Sequence, residues 1–453
     1  MVTGSSMKSD VSLARIKQFP ILMWILLFGS FITRGSYYMV WPFLAVILYD
    51  KFALSATHVG LILSSAAVIS VLVSFVGSAL SDRIGRHPLM YFSGLLYIIS
   101  FSLLAQANSI VGYALVITLC SIATALWRPL ASALIGDIIK DNSTRELAMQ
   151  SLYFIVNVGC AVGPMLGLWL GLTGEQSSFY ITAGAFAFLL VLLWWGFHQH
   201  KKFDSEEGGN TKTAVIDSTV NNHILTHEPT QTHAQAKAKK PLNNKNKSQL
   251  LKVLAADKLL QCLIFANILC MFIYAQMDSS LIQYLTRAKV PDLLELISAM
   301  ILTNALVIIS TQFLLLKLMA SLSLVNRIQV GLVLLMCSQV WLAVNPLTLF
   351  WGWIGAIVVM SLAETILFPT MNVHIDRLAP AHLRGAYFGA ASFYEFGFAI
   401  APLGGGIILD QLGGSWLFFI TAGLTLLVIY LYSVLNDLPR PDFTKFKPQS
   451  TTE

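Results

Sequence analysis

Long apolar runs alternate with short polar loops along most of the chain. Twelve runs are long enough to cross a membrane and are numbered spans 1 to 12: residues 19–49, 56–80, 88–106, 110–136, 147–172, 178–197, 259–286, 293–316, 328–345, 349–371, 386–409 and 414–435. The bilayer core offers no water to backbone N–H and C=O groups, so each span must be helical. The pattern predicts an all-α polytopic membrane protein with 12 transmembrane helices.

One long polar segment, residues 199–258, separates spans 1–6 from spans 7–12. It is rich in Asn, Lys, Thr and Gln and nearly devoid of aromatic residues, so it buries too little surface to offset the entropy of ordering. We therefore expect a largely disordered linker. The predicted organisation is an N-terminal tail at 1–18, a six-helix bundle at 19–198, the linker at 199–258, a second six-helix bundle at 259–436 and a C-terminal tail at 437–453.

Composition and charge support a membrane location. Apolar residues make up 56% of the chain and charged residues 11%, against roughly 25% charged in soluble proteins. The side that carries the termini and the linker holds 24 of the 29 Lys and Arg residues. By the positive-inside rule, both tails and the linker are cytoplasmic, in a multi-pass protein of the cell (inner) membrane. The net charge of +6 thus reflects topology and contact with lipid headgroups, and we expect no nucleic-acid partner.

A repeated order of residues relates the two halves. Proline, aspartate and arginine recur about 240 residues apart, and a run containing glycine and proline follows each time. The recurring residues are Pro129, Asp137, Arg145 and 163–167 in the first half, and Pro369, Asp376, Arg384 and 401–405 in the second. Two pseudo-symmetric six-helix bundles are the architecture of a large class of transporters.

The loop after span 2, residues 78–88, reads SALSDRIGRHP. It resembles the signature that the major facilitator superfamily carries between its second and third helices, with Ser78 and His87 as departures. In that family the aspartate lies near the amino end of a helix from the other half, where the helix dipole favours a carboxylate. The resemblance implies the major facilitator fold and a conformational latch formed by Asp82, Arg83, Gly85 and Arg86.

Span 5 carries a run of small residues with a proline: Gly159, Gly163, Pro164 and Gly167. Small residues spaced by four allow two helices to approach closely, and a proline inside a helix can bend it. The run is similar to the signature associated with antiporters of the superfamily, which favours export. Span 11 repeats the break at 401–402, so the motif also fits a rocking movement that any transporter of this fold would use.

Five ionisable side chains lie inside spans: Arg34, Arg128, Asp278, Glu364 and Glu395. Each costs at least about 2.5 kcal/mol to insert, so such residues mark function or a structural ion pair. The family fold places spans 1, 4, 7 and 10 around a central cavity and spans 2, 5, 8 and 11 beside them, which implies that all five face or border it. The first half then contributes the cations and the second half the anions.

Glu364 and Glu395 are the expected proton-coupling residues, because apolar surroundings favour a neutral carboxyl group over a carboxylate. An ion pair between Arg128 and Glu364 is the structural alternative. Asp278 stands among polar neighbours near the outer end of span 7, where we expect substrate contact or gating. The predicted substrate cavity comprises Arg34, Tyr37, Tyr38, Trp41, Arg128, Asn157, Gln276, Asp278, Tyr284 and Tyr394, with Trp127, Asn304 and Phe393 as further candidates.

These features predict a proton-coupled secondary active transporter that works by alternating access. Residues 41–44 in span 1 and 363–365 in span 10 resemble the 12-span bacterial drug:proton antiporter branch, which implies efflux of amphipathic or drug-like compounds. One alternative is a proton symporter that imports a polar or anionic metabolite, which Arg34 and Arg128 favour. The other alternative is a transporter-like receptor without transport.

The sequence contains no Ser/His/Asp arrangement and no phosphate loop, so we expect neither an enzyme nor an ATP-driven pump. No cofactor or metal site is expected, because His223 and His227 form too flexible a pair to hold a metal. The five cysteines fall in apolar runs and predict no disulfide framework. The expected partners are a small-molecule substrate, protons and membrane lipid, and the expected state is a monomer.

Overall fold

In the computed structural model, the described residues are 16–139, 141–173, 175–216, 254–380 and 384–441. At some positions in these ranges only the backbone is described, chiefly 75–83, 128–129, 200–216 and 384–386. The described part contains helices and no β-strand, and it has 12 candidate spans that are long and apolar enough to cross a membrane. The predicted all-α, 12-span fold is confirmed.

Most spans are single helices. They are Ala56–Ile84 (span 2), Arg86–Leu104 (span 3), Ile110–Ile138 (span 4), Asn142–Trp169 (span 5), Phe179–Ile216 (span 6), Leu293–Leu318 (span 8), Leu324–Val344 (span 9), Phe350–Leu378 (span 10) and Gly414–Ser433 (span 12). Spans 4 and 9 begin where a serine side chain, Ser109 or Ser323, accepts a hydrogen bond from a free N–H of the first turn.

Spans 1, 7 and 11 are interrupted near predicted site residues. Span 1 consists of Ile21–Val40 and Leu44–Phe52, joined by the 3₁₀ turn Trp41–Phe43. Span 7 consists of Lys258–Tyr274 and Ile282–Arg287, with the π-helical turn Met277–Leu281 between them. Span 11 consists of Arg384–Ala391 and Glu395–Leu412, around the 3₁₀ turn Ser392–Tyr394. Interrupted helices of this kind often mark binding sites in membrane transporters.

The same helix contacts occur in both halves. In the first half, span 1 packs on spans 5 and 6, span 4 packs on spans 2 and 3, and span 3 packs on span 6. The second half repeats these pairs: span 7 packs on spans 11 and 12, span 10 on spans 8 and 9, and span 9 on span 12. The halves meet where span 2 packs on span 11 and span 5 packs on span 8. The two bundles are therefore pseudo-symmetric, as the sequence repeat predicts.

Glycines allow the closest helix crossings in each half. A Cβ atom on Gly163 of span 5 would collide with the backbone carbonyl of Gly35 in span 1. A Cβ atom on Gly397 of span 11 would collide with the carbonyl of Ile268 in span 7. The two backbones are in contact at both crossings. Close contact of this kind gives van der Waals packing, which stabilises helix pairs in lipid because the hydrophobic effect between them is weak there. Pro164 lies inside the span 5 helix, which continues to Trp169.

The described chain begins at Ile16 and ends at Pro441 on the same face of a twelve-span bundle. We call this face the termini face and the opposite one the far face. At the termini face, the fully buried Asp257 carboxylate caps span 7. It accepts hydrogen bonds from the Tyr387 hydroxyl and, at 3.2 Å, from Arg440. This cluster joins the start of span 7 to the start of span 11 and to the chain after span 12.

The segment between the two bundles is described only at its ends. Span 6 continues as helix through Ile216, past the predicted start of the linker at residue 199. The helix of span 7 begins at Lys258, the predicted end of the linker. Residues 217–253 lie outside the described part, so the disorder of the linker stays a prediction.

Candidate substrate cavity

A cavity of about 510 Å³ lies among spans 1, 3, 4, 5 and 6 of the first half. Four of the predicted cavity residues line it: Arg34, Tyr37, Tyr38 and Asn157. The further candidate Trp127 lines it as well. Aromatic rings and hydroxyl groups make up much of the remaining described lining, which suits a solute with both apolar and polar parts.

The cavity extends toward the termini face. Met149 and Tyr153 line it and are exposed, with relative exposures of 41% and 53%. Both residues lie in the half of span 5 that is nearer the termini face, because that helix starts there at Asn142. Solvent therefore has access to the cavity from this side.

Arg34 lies on the first-half wall of the cavity. Its guanidinium carbon is 5.8 Å from the centre of the Tyr37 ring, and that ring stacks on Trp41 at 4.9 Å. Tyr38 and Cys160 line the same cavity as Arg34. No salt bridge joins Arg34 to a carboxylate within the part of the chain that the structure describes. Arg34 is thus a cation held by aromatic rings and neutral polar groups.

Glu364 lies in span 10 and is half-buried. The Tyr274 hydroxyl from span 7 donates to its Oε2 at 2.7 Å, and the Asn304 amide from span 8 donates to the same oxygen at 2.8 Å. Asn304 also donates to the Ser361 hydroxyl at 3.0 Å. Neutral donors from two other spans therefore orient the carboxyl group, and no described residue donates a hydrogen bond to its Oε1.

Asp278 is exposed and lies on the π-helical turn of span 7. Neither Asp278 nor Glu364 belongs to the described lining of the first-half cavity. The two carboxyl groups therefore lie in the second half, outside the part of the cavity wall that the structure describes.

Two predicted cavity residues are part of helix packing instead. Gln276 is fully buried and donates a hydrogen bond to the Ala401 carbonyl of span 11 at 3.3 Å. The ring centre of Tyr284 lies 6.3 Å from that of Phe418 in span 12. Both side chains connect spans within the second half, and neither lines the described cavity.

Tyr394 and Glu395 follow each other at the interruption of span 11. Tyr394 ends the 3₁₀ turn, and Glu395 begins the following helix and is half-buried. Glu395 forms no hydrogen bond or ion pair with the described residues. The structure thus brings Glu364 into a hydrogen-bonded cluster and leaves Glu395 outside it.

Part of the predicted latch is described. Gly85 has a φ of 95°, in the left-handed region that favours glycine, and it separates spans 2 and 3. Arg86 forms an ion pair with Asp137 and donates to the carbonyl of Ala133, both in span 4. The loop is thereby attached to a helix of its own half.

The side chains of Asp82, Arg83 and Arg128 lie outside the described residues. The latch between halves and the ion pair of Arg128 with Glu364 therefore stay predictions. The described hydrogen bonds of Glu364 come from its own half.

Polar contacts join the two halves at the far face. The Asp410 carboxylate, near the end of span 11, accepts hydrogen bonds from the backbone N–H groups of Ala56 at 3.0 Å and Thr57 at 2.7 Å. These groups belong to the first turn of span 2, where free N–H groups and the helix dipole favour a negative charge. Arg287, at the end of span 7, donates to the Leu54 carbonyl at 2.9 Å. The far face is closed in this structure.

The sequence reasoning missed Tyr274, Asp410 and Arg287. Tyr274 is one aromatic residue among several in an apolar run, and only the packing of span 7 on span 10 places it beside Glu364. Asp410 lies at a span end, where acidic residues are unremarkable. Its role depends on the pairing of span 11 with span 2, which the sequence does not reveal.

Within the described residues, no group of three or more His, Cys, Asp or Glu side chains could hold a metal ion. His223 and His227 lie outside those residues. Two similar six-helix halves, one of which encloses a cavity lined by Arg34, are the architecture of a secondary membrane transporter.

The comparison with protein families agrees with this class. The family model described as Major Facilitator Superfamily matches residues 26–396. The chain belongs to this superfamily of transporters, as the signature after span 2 predicts.

Similar proteins are found in several bacteria. The MFS-type transporter YqjV of Bacillus subtilis is 25% identical over 90% of this chain and 91% of its own length. A Na(+), Li(+), K(+)/H(+) antiporter of Planococcus maritimus is 24% identical over 92% of this chain and 96% of its own length. The multi-drug resistance efflux pump PmrA of Streptococcus pneumoniae is 28% identical, over 37% of this chain and 42% of its own length.

Solved structures share the fold. The nucleoside transporter NupG superimposes with a TM-score of 0.69 at 13% identity, covering 92% of this chain and 100% of that chain. A peptide transporter POT in complex with sulfate gives a TM-score of 0.69 at 15% identity, covering 92% of this chain and 94% of that chain. At these identities the similarity concerns the fold alone.

Proposed function

We propose that this protein is a proton-coupled secondary active transporter that expels amphipathic compounds across the cell membrane by alternating access. Both termini and the linker face the cytoplasm in this proposal. The observation that carries the proton coupling is the setting of Glu364. Its carboxyl group is half-buried in span 10, and neutral donors from spans 7 and 8 hold one oxygen, Oε2. The other oxygen is left for a proton.

A proton on Glu364 would change the contact between the halves. Ionised Glu364 accepts charge-assisted hydrogen bonds from Tyr274 and Asn304 within the second half, and protonation weakens them. Asn304 belongs to span 8, which packs on span 5 of the first half. Loss of the charge therefore alters the energy of the closed and open arrangements by different amounts, which is the requirement for coupling.

The closed far face supports alternating access. Asp410 and Arg287 join the halves there, while Met149 and Tyr153 are exposed on the side of the termini. In our proposal this is the cytoplasm-facing state. Opening to the far face would break the Asp410 contact with span 2 and bring the termini face together.

Export and exchange are favoured by the relatives and by span 5. One relative is named as a multi-drug efflux pump and another as a cation/H(+) antiporter. The run from Gly159 to Gly167 is similar to the antiporter signature. A proton symporter for an anionic metabolite is the second candidate, because Arg34 supplies a cation in the cavity without a described carboxylate partner.

Reconstituted vesicles test the proposal. Fluorescent ethidium, an amphipathic cation, and dansylglycine, an amphipathic anion, serve as probes, with and without an imposed pH gradient. Wild-type protein should move at least one probe against its gradient when the proton gradient points the opposite way. Glu364→Gln, which mimics the protonated form, should reduce gradient-driven movement at least about tenfold while exchange without a gradient persists.

The matched control is Glu295→Gln, an exposed acid at the start of span 8 on the far face, which should keep the wild-type rate. Wild-type rates in Glu364→Gln would assign the proton to Glu395 or Asp278, or show that the carrier is not coupled to protons. Binding of a probe without any flux would indicate a receptor.

A further inference from the structure

The described lining of the first-half cavity has an uneven charge. Arg34 is its one ionised side chain at neutral pH, and no carboxylate belongs to that lining. The rest of the described lining includes the hydroxyls of Ser30, Thr33 and Thr124 and the rings of Trp127 and Phe186. The carboxyl groups of Asp278 and Glu364 lie in spans 7 and 10 of the second half, outside that lining.

Arg34 is not explained by a structural ion pair within the described part of the chain. A cation in a membrane span costs at least about 2.5 kcal/mol on insertion scales, so such residues are normally paired or functional. The Tyr37 ring 5.8 Å from the guanidinium, itself stacked on Trp41, restricts the side chain without neutralising it. The guanidinium therefore retains donors and charge for a bound molecule.

We infer that the first-half cavity binds amphipathic organic anions, with Arg34 as the residue that holds the anionic group. A guanidinium presents donors in a planar fork that matches carboxylates, sulfonates and phosphates, and the neighbouring hydroxyls supply further hydrogen bonds. The apolar body of the ligand would pack on Trp127 and Phe186. The inference rests on the proposed function in one respect, that the bound anion is the transported solute.

The anion class is compatible with export. A membrane potential that is negative inside favours outward movement of an anion. Arg34 lies in the described lining of the cavity, whereas Asp278 and Glu364 lie outside it. The anionic group is therefore expected on the first-half side of the cavity.

The chain supplies its own reporter for this charge. Cys160 lines the cavity and is partly exposed. Replacing the other cysteines, Cys120, Cys262, Cys270 and Cys337, by alanine leaves Cys160 as the one thiol. Its reaction with an anionic and with a cationic methanethiosulfonate, the sulfonatoethyl and the trimethylammonioethyl reagents, reports the local potential. Both reagents react with the thiolate form of Cys160, so the fraction of thiolate cancels in the ratio of the two rates. The ratio measured with free mercaptoethanol is the reference.

In purified protein, the anionic reagent should be favoured at least about fivefold over the reference ratio, because a nearby cation raises the local concentration of anions. Arg34→Gln should remove this preference, and Arg34→Lys should keep most of it. Arg327→Gln is the matched control, because Arg327 lies at the termini face, away from the cavity lining, and bonds to backbone carbonyls. A ratio that is unchanged in Arg34→Gln would overturn the inference.

Ligand protection gives a second measurement. Dansylglycine should protect Cys160 from N-ethylmaleimide at a concentration at least about tenfold lower than its neutral amide, dansylglycinamide, since an anion paired with Arg34 adds more than about 1 kcal/mol. Arg34→Gln should make the two compounds equal. Equal protection in the parent protein, or no protection by either compound, would contradict the inference.

Neither measurement uses a pH gradient or flux. Charge selection at Cys160 without gradient-driven transport would leave the anion site standing and reject the proposed coupling. Coupled movement of ethidium without charge selection at Cys160 would support the proposed coupling and reject the anion site. Circular dichroism of both Arg34 variants checks that they fold. If Arg34→Gln is misfolded, the charge ratio and the ligand protection in Arg34→Lys, which keeps the charge, decide.

Discussion

The two halves of the protein are built on the same helix contacts but carry different chemistry. Thr124 and Glu364 occupy equivalent positions, each five residues before the repeated proline at 129 or 369. In the first half, Thr124 accepts a hydrogen bond from the Tyr97 hydroxyl at 2.7 Å. In the second half, Glu364 accepts one from Tyr274 at the same distance. One half has a neutral pair where the other has a carboxyl group.

This difference separates scaffold from function. Helix crossings depend on backbone approach and small residues, and both halves retain them at Gly163 and Gly397. Ionisable side chains are not needed for those crossings, so each half is free to carry its own: Arg34 in the first half, Asp278 and Glu364 in the second. In the proposed alternating-access cycle, the two halves would then present different chemistry to a solute.

The largest expected effect concerns the shared scaffold. Gly163→Ala and Gly397→Ala each add a methyl group that meets a backbone carbonyl of the facing helix. Each change should destabilise the protein by about 2 kcal/mol, a typical value for overpacking. The unfolding temperature of the purified protein in detergent measures it. Gly423→Ala in span 12 is the control, since its Cβ would meet no atom within 4 Å. If only one of the two substitutions lowers the unfolding temperature, the two crossings are not equivalent.

A smaller effect is expected at the contact between the halves. Asp410→Ala removes two hydrogen bonds to the start of span 2 and a favourable interaction with the helix dipole. The population open to the far face should rise about tenfold, which corresponds to about 1.4 kcal/mol. Labelling of Ser64→Cys by an impermeant maleimide measures this, because Ser64 is buried and accepts a hydrogen bond from the Leu403 N–H across the interface.

The control for that measurement is Asp50→Ala, an exposed acid near the end of span 1 on the far face. It should leave the labelling rate unchanged. If Ser64→Cys is labelled in the Asp410→Ala variant at the parent rate as well, the Asp410 contact does not hold the far face closed.

The smallest effect compares the tyrosine donors to Glu364 and Thr124. Tyr274→Phe removes a donor to a carboxylate and should lower gradient-driven transport about fivefold, since hydrogen bonds to charged groups contribute more than neutral ones. Tyr97→Phe removes a donor from span 3 to the neutral Thr124 and should lower the transport rate less than about twofold. Initial rates in vesicles at matched protein density give the comparison. Equal losses would mean that the hydroxyls serve packing in both halves.

Much of the architecture follows from the residue pattern. A span must be apolar for about 20 residues and must satisfy its own backbone hydrogen bonds, so the number and positions of the helices are local properties. The repeat from Pro129 to 167 and from Pro369 to 405 likewise indicates two similar halves. The cost of burying a charge is enough to single out Arg34, Asp278 and Glu364 as candidate site residues from their positions within apolar runs.

The tertiary structure decided which side chains meet. Packing between distant segments determines how a helix is rotated about its axis and which helices it contacts, and no local pattern encodes that packing. For that reason Tyr274 is a partner of Glu364, while Gln276, two residues later, packs against span 11. The contact of Asp410 with span 2 joins residues more than 350 positions apart in the sequence, and only the packing of span 11 on span 2 creates it.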